Sequence, residues 1–145
     1  MFKKDNYKTS IKNIKALCLA ESSGKALIKS QERQKELGEV FTPTELVLDI
    51  LKKLPTGKDG VWQEGKTFLD PACGNGQFLV AILIIKIQLG HENPLESIYG
   101  VDIMLDNVKQ CRGRLLLLAG DTKKNRAILK KNIVCKDGLE FDYEF

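Results

Sequence analysis

The stretch FLDPACGNGQFLVAILIIKIQL, residues 68–89, constrains the fold of this chain more than any other. A short apolar run ends in Asp70, a proline and two glycines one residue apart follow, and a second apolar run extends from Phe78 to Leu89. An extended segment, a tight turn and a helix in immediate succession form the unit from which parallel sheets are built. Lys86 interrupts the second run, which is shorter than the ~20 residues that cross a bilayer, so it predicts a buried helix and no membrane partner.

The unit recurs downstream. KTFLD predicts a first strand ending at Asp70, and a helix follows from about Gly76 to Leu89. SIYGVD predicts a second strand ending at Asp102, with an amphipathic helix over Leu105 to Ala119. A basic loop, DTKKNRAILKK, then leads to a third strand, NIVC. This alternation predicts an α/β fold, a three-stranded parallel sheet of order 3-2-1 with right-handed crossovers and flanking helices. Upstream, GEVFTPTELVLDILKKLP predicts a loop over Gly38 to Pro43, a helix capped by Thr44 over Glu45 to Leu54, and a stop at Pro55. The segments IKNIKALCLA and SGKALIKSQERQKEL predict helices separated by Ser22, Ser23 and Gly24.

With 145 residues, 43% of them hydrophobic, the chain has material for one core and too little for two. The net charge of +4 is unevenly spread: residues 1–37 hold nine Lys or Arg against four acids, and beyond Lys136 every charged residue is an acid. We therefore expect a basic helical extension over 1–37 and a near-neutral domain over 38–145, with DNA as a permitted partner. Cys18, Cys73, Cys111 and Cys135 form no CxxC pair, and His91 alone cannot complete a zinc site with them. Reduced thiols and the lack of a secretory leader pattern in MFKKDNYKTS predict a cytoplasmic protein.

Ligands of such sheets bind beyond the carboxyl ends of the strands. That rim carries the glycine turn and three carboxylates, Asp70, Asp102 and Asp137. A dinucleotide turn, G-x-G-x-x-G, needs a small residue where Leu79 stands, and a Walker phosphate loop is set aside as well. Asp70 would repel a pyrophosphate but suits a cation. A ligand with an ammonium, a ribose and an adenine, and no phosphate, fits: S-adenosylmethionine (SAM).

FLDPACGNGQFL resembles motif I, D-P-A-C-G-x-G-x-F, of the SAM-dependent DNA adenine-N6 methyltransferases. GEVFTPTELV is similar to their motif X, IYGVDI to motif II and NIVCKDGLEF to motif III, in the gamma order X, I, II, III. The resemblance covers Gly38 to Phe141 and implies a Rossmann-like methyltransferase half-fold acting in DNA methylation, as in restriction-modification. It implies that Phe41, Thr42 and Pro43 border the methionine end of SAM. Asp70, Pro71, Ala72, Cys73, Gly74, Gly76 and Phe78 would form the cradle, with Cys73 a small residue of the turn and no nucleophile. Asp102 would accept from the ribose hydroxyls, Ile103 would lie against the adenine, and Asp137, flanked by Gly138, would accept the adenine amine.

The family's fourth motif, [N/D]-P-P-[Y/F], holds the target amine and stacks on the flipped base. Prolines occur here only at positions 43, 55, 71 and 94, so these residues contain no such motif and no catalytic residue is assigned. The expectation is a SAM-binding chain that needs a second polypeptide for methyl transfer. The alternative is a non-catalytic SAM-binding or regulatory module. In the family a fourth strand pairs beside the first, so the first strand predicts an open apolar edge, to be covered by a second copy or another chain.

Overall fold

The computed structural model describes residues 29–144 as three parallel strands with helices packed around them. In chain order these are α1 (Gln31–Leu37), α2 (Thr44–Lys52), β1 (Phe68–Asp70), α3 (Gln77–Gln88), β2 (Ile98–Asp102), α4 (Leu105–Ala119), α5 (Lys123–Asn132) and β3 (Ile133–Cys135), with a 3-10 turn at Pro94–Ser97. The segment IKNIKALCLA, Cys18 and most of the basic extension lie outside the described residues.

β1 pairs with β2 through Phe68 and Ile98, Leu69 and Tyr99, and Asp70 and Gly100. β2 pairs with β3 through Gly100 and Ile133, Val101 and Val134, and Asp102 and Cys135. The order across the sheet is β1-β2-β3, the expected 3-2-1 order seen from the other edge. β1 is therefore an edge strand, and Leu69 at its middle is half exposed.

α3 is apolar on every side and every residue from Leu79 to Lys86 is buried, so the core forms around it. Trp62, Leu83, Ile85, Ile98, Leu115, Leu129 and Ile133 belong to the same cluster. Lys86 does not break the burial. Its amine donates to the Lys66 carbonyl at 2.8 Å and to Ser97 Oγ at 2.7 Å, and it lies 5.1 Å from the Phe68 ring centre. Burial pulls its pKa down from 10.5 to about 8.

Three local expectations are corrected. The basic stretch expected as a loop is α5. Thr122 caps it by accepting the Asn125 N–H at 3.0 Å, and Leu129 anchors it in the core while the lysines face outward. Thr44 is the first helical residue of α2, and Pro43 occupies the cap position with its carbonyl accepting the Val47 N–H. α2 also ends at Lys52, before Pro55 is reached.

Candidate cofactor cleft

A cleft of about 690 Å³ opens at the carboxyl ends of the three strands. Its walls are the end of α1 and the loop before α2, the turn after β1, residues 102–104 at the end of β2 and residues 137–139 after β3. Phe41, Thr42, Asp70, Pro71, Ala72, Cys73, Gly74, Phe78, Asp102, Ile103, Asp137 and Gly138 all line it. Pro43 and Gly76 stand behind the wall, the first at the start of α2 and the second at the start of α3. Five acids line the cleft, Glu36, Glu39, Asp70, Asp102 and Asp137, and among the described residues no Lys, Arg or His does.

The turn after β1 is held from several sides. Cys73 N–H donates to the Val101 carbonyl at 2.8 Å, Gly74 N–H to Asp102 Oδ2 at 2.9 Å, and Arg114 Nη1 to the Asn75 carbonyl at 3.0 Å. Gln77 Nε2 reaches across to the Thr42 carbonyl at 3.1 Å and so ties the loop before α2 to the start of α3. Gly76 has φ +91°, where L side chains are strained, and a Cβ there would stand 2.6 Å from Cys111 Sγ. At the far wall, a Cβ on Gly138 would stand 2.3 Å from the Pro71 carbonyl oxygen, so the loop after β3 touches the turn after β1.

Each carboxylate has its own environment. Asp70 Oδ1 accepts the Ala72 N–H at 3.2 Å, but burial, reinforced by the charge of Asp102, pushes its pKa above the ordinary carboxylate value. Asp102 accepts Gly74 N–H on Oδ2, and Met104 N–H (2.9 Å) and Asn107 Nδ2 (3.2 Å) on Oδ1. A carboxylate offers about four acceptor positions, so Asp102 keeps capacity for one further donor. Asp137 Oδ1 accepts the Leu139 N–H at 2.9 Å, closing a local turn. The hydrogen bond with Cys111 and burial push the pKa of the Cys73 thiol up, which disfavours the thiolate.

α1 has no buried residue and is held against the cleft by charge. Arg33 bonds Glu39 Oε2 at 2.6 Å and Asp106 Oδ2 at 2.7 Å, and Lys29 Nζ bonds Asp106 Oδ2 at 2.7 Å. Hydrogen bonds from Arg33 and Lys29 hold the Asp106 carboxyl well below the usual range. Glu39, Leu37, Val40, Asn75, Gln77, Met104 and Leu139 line the cleft without having been expected there. Glu39 lies within the GEVFTP segment already singled out. Its link to Asn107, 68 residues away, leaves no trace in local sequence.

Gly60 to Thr67, GVWQEGKT, does fit the spacing G-x-x-x-x-G-K-T, so the sequence alone does not exclude a Walker loop and that expectation is corrected. The fold excludes it instead. The stretch leads into β1 rather than following a strand, no helix begins at Lys66, and the Lys66 carbonyl is engaged by Lys86.

Fold and cleft together define a parallel α/β unit with an acidic cleft at its carboxyl rim. The family model of the N-6 DNA methylases matches residues 27–144, and the chain belongs to that family. No curated protein and no solved structure matches it. Among the described residues no helix is long and apolar enough to cross a membrane.

Proposed function

We propose that the cleft binds SAM and that the chain is the cofactor-binding part of a DNA adenine-N6 methyltransferase. The observation that carries this reading is the charge of the cleft: five acids line it, of which Glu39 is paired with Arg33, and among the described residues no basic side chain does. Such a wall repels phosphate and attracts a ligand with ammonium and sulfonium charges. Its volume lies within the ~300–1,000 Å³ of small-molecule sites.

In this reading Asp70 accepts the methionine ammonium, whose positive charge favours the ionised carboxyl. Phe41 and Thr42 border the methionine end, and the backbone at Ala72 and Gly74 approaches it closely. Asp102 uses its remaining acceptor capacity for a ribose hydroxyl. Ile103, 52% exposed, offers an apolar face to the adenine, and Asp137 accepts the adenine amine beside Gly138. When bound, SAM supplies an electrophilic methyl group, and these residues hold and orient it.

Residues 1–145 contain no Pro-Pro, so the groups that hold the target adenine come from outside them. We place that contribution along β1, whose outer edge is unpaired among the described residues, as a further strand from outside residues 1–145. DNA is the substrate this reading implies, and the cytoplasm its setting. A binding or regulatory module remains the second reading, favoured by the same lack of Pro-Pro.

Retention of methyl-labelled SAM on the purified chain tests the proposal. Displacement by S-adenosylhomocysteine and not by ATP is expected, and equal displacement by ATP contradicts it. Label appearing in adenine-containing duplex would show that the chain acts alone; retention without transfer fits the need for a partner.

A further inference from the structure

Asn107 is fully buried at the start of α4, and its amide joins two walls of the cleft. Nδ2 donates to Glu39 Oε2 at 2.8 Å and to Asp102 Oδ1 at 3.2 Å. Oδ1 accepts Lys29 Nζ at 2.6 Å. One nitrogen thus donates to two carboxylates and links them. Buried amides must be hydrogen-bonded, and here every bond leads either to Asp102 or to residues 29–39.

We infer that Asn107 is a positioning residue for the Asp102 carboxylate, and that through it Lys29, Arg33 and Glu39 set how the cleft receives a ribose. The inference rests on the SAM reading of the cleft. Asp102 is pinned at three points: Gly74 N–H on one oxygen, Met104 N–H and Asn107 Nδ2 on the other. Two of these are backbone N–H groups of the rim turns after β1 and β2. Asn107 is the one of the three whose remaining bonds are anchored in the segment before α2. Arg33 holds Glu39 at 2.6 Å, and Lys29 and Arg33 both hold Asp106, the neighbour of Asn107 on α4. The ion pairs of α1 therefore do more than dock a short helix. They keep the amide turned so that the remaining acceptor position of Asp102 stays open toward the cleft.

A purely structural role would weaken all ligands alike, whereas a positioning role acts on the ribose contact. The test is calorimetric titration of S-adenosylhomocysteine and its 2′-deoxy and 3′-deoxy counterparts into the wild-type chain, Asn107→Asp, Asn107→Leu and Lys29→Met. Asn107→Asp keeps an oxygen for Lys29 and removes the donor to Asp102. Wild type should prefer the full ribose over at least one deoxy ligand by about tenfold, the value of one well-placed hydrogen bond to a charged group. Both Asn107 variants should lose about tenfold for S-adenosylhomocysteine and little for that deoxy ligand, so that the preference collapses. Lys29→Met, at the periphery, keeps the fold if the buried substitutions do not, and should show the same selective loss at about threefold. Equal loss for all three ligands, or an unchanged preference, overturns the assignment of Asn107 while leaving SAM binding intact. Failure of wild type to bind S-adenosylhomocysteine removes the SAM reading, and the inference with it.

Discussion

The carboxylate of Asp102, at the end of β2, accepts the backbone N–H of Gly74, in the turn after β1, at 2.9 Å. This bond joins two strand ends, so that one acidic side chain both shapes the glycine turn and faces the ligand. Asp102→Ala should therefore do two things at once. Freeing the N–H groups of Gly74 and Met104 should cost about 1–3 kcal/mol of stability, read by denaturant unfolding. Affinity for S-adenosylhomocysteine should fall at least about tenfold. Lost stability with unchanged affinity would show that Asp102 only shapes the turn.

Gly76→Ala should damage the site from behind. The new Cβ meets Cys111 Sγ and sits at φ +91°, so a loss of about 2 kcal/mol is expected, with weaker ligand binding because α3 begins there. Adding Cys111→Ala relieves the contact but not the dihedral strain. The double variant should recover part of the stability, to within about 1 kcal/mol of Cys111→Ala alone. No recovery would mean that the contact with Cys111 is not what excludes a side chain.

Asp70 carries a pH signature. Its pKa is raised by burial, so the proton leaves at a higher pH than from an ordinary aspartate. A cationic ligand favours the ionised form. SAM affinity should therefore strengthen as pH rises through that raised pKa and then level off, and Asp70→Asn should bind weakly at every pH with the dependence gone. An unchanged pH profile in Asp70→Asn would assign the titration to another group.

Lys86 carries the opposite kind of signature, in stability. Its folded-state pKa of about 8 lies below the ordinary 10.5, so between these values the unfolded chain binds the proton and the folded chain does not. Stability contributed by this group rises with pH across that window. Wild type should gain on Lys86→Met by on the order of 1–2 kcal/mol from pH 8 to pH 10, the shift being discounted for solvent screening. A flat difference between the two would count against the depressed pKa.

Much of the fold was legible because its signals are local. β1, β2 and β3 are short apolar runs closed by Asp70, Asp102 and the Lys136–Asp137 pair, and α4 runs from Leu105 to Ala119 as its apolar spacing predicts. α5 was not legible. Five Lys or Arg among its ten residues hide an apolar face of only Ile128 and Leu129 with Ala127, and the signal that could have exposed it is Thr122 followed three residues later by Asn125. The cleft residues were found where a motif marks them. Arg33, Asn107 and Arg114 were not, because each acts through a partner that is distant in sequence or hidden by the fold, and residue type alone does not announce a hydrogen bond to Glu39, Asp102 or the Asn75 carbonyl. GVWQEGKT has the spacing of a phosphate loop, and only its place before β1, without the strand-to-helix context, sets such a loop aside.

Whether the acidic rim cleft receives SAM is read by titrating S-adenosylhomocysteine into the purified chain in a calorimeter. Saturable one-to-one binding is expected, weakened at least about tenfold by Asp102→Ala and not competed by ATP. No saturable heat at any accessible concentration, or equal competition by ATP, would contradict a SAM site in this cleft.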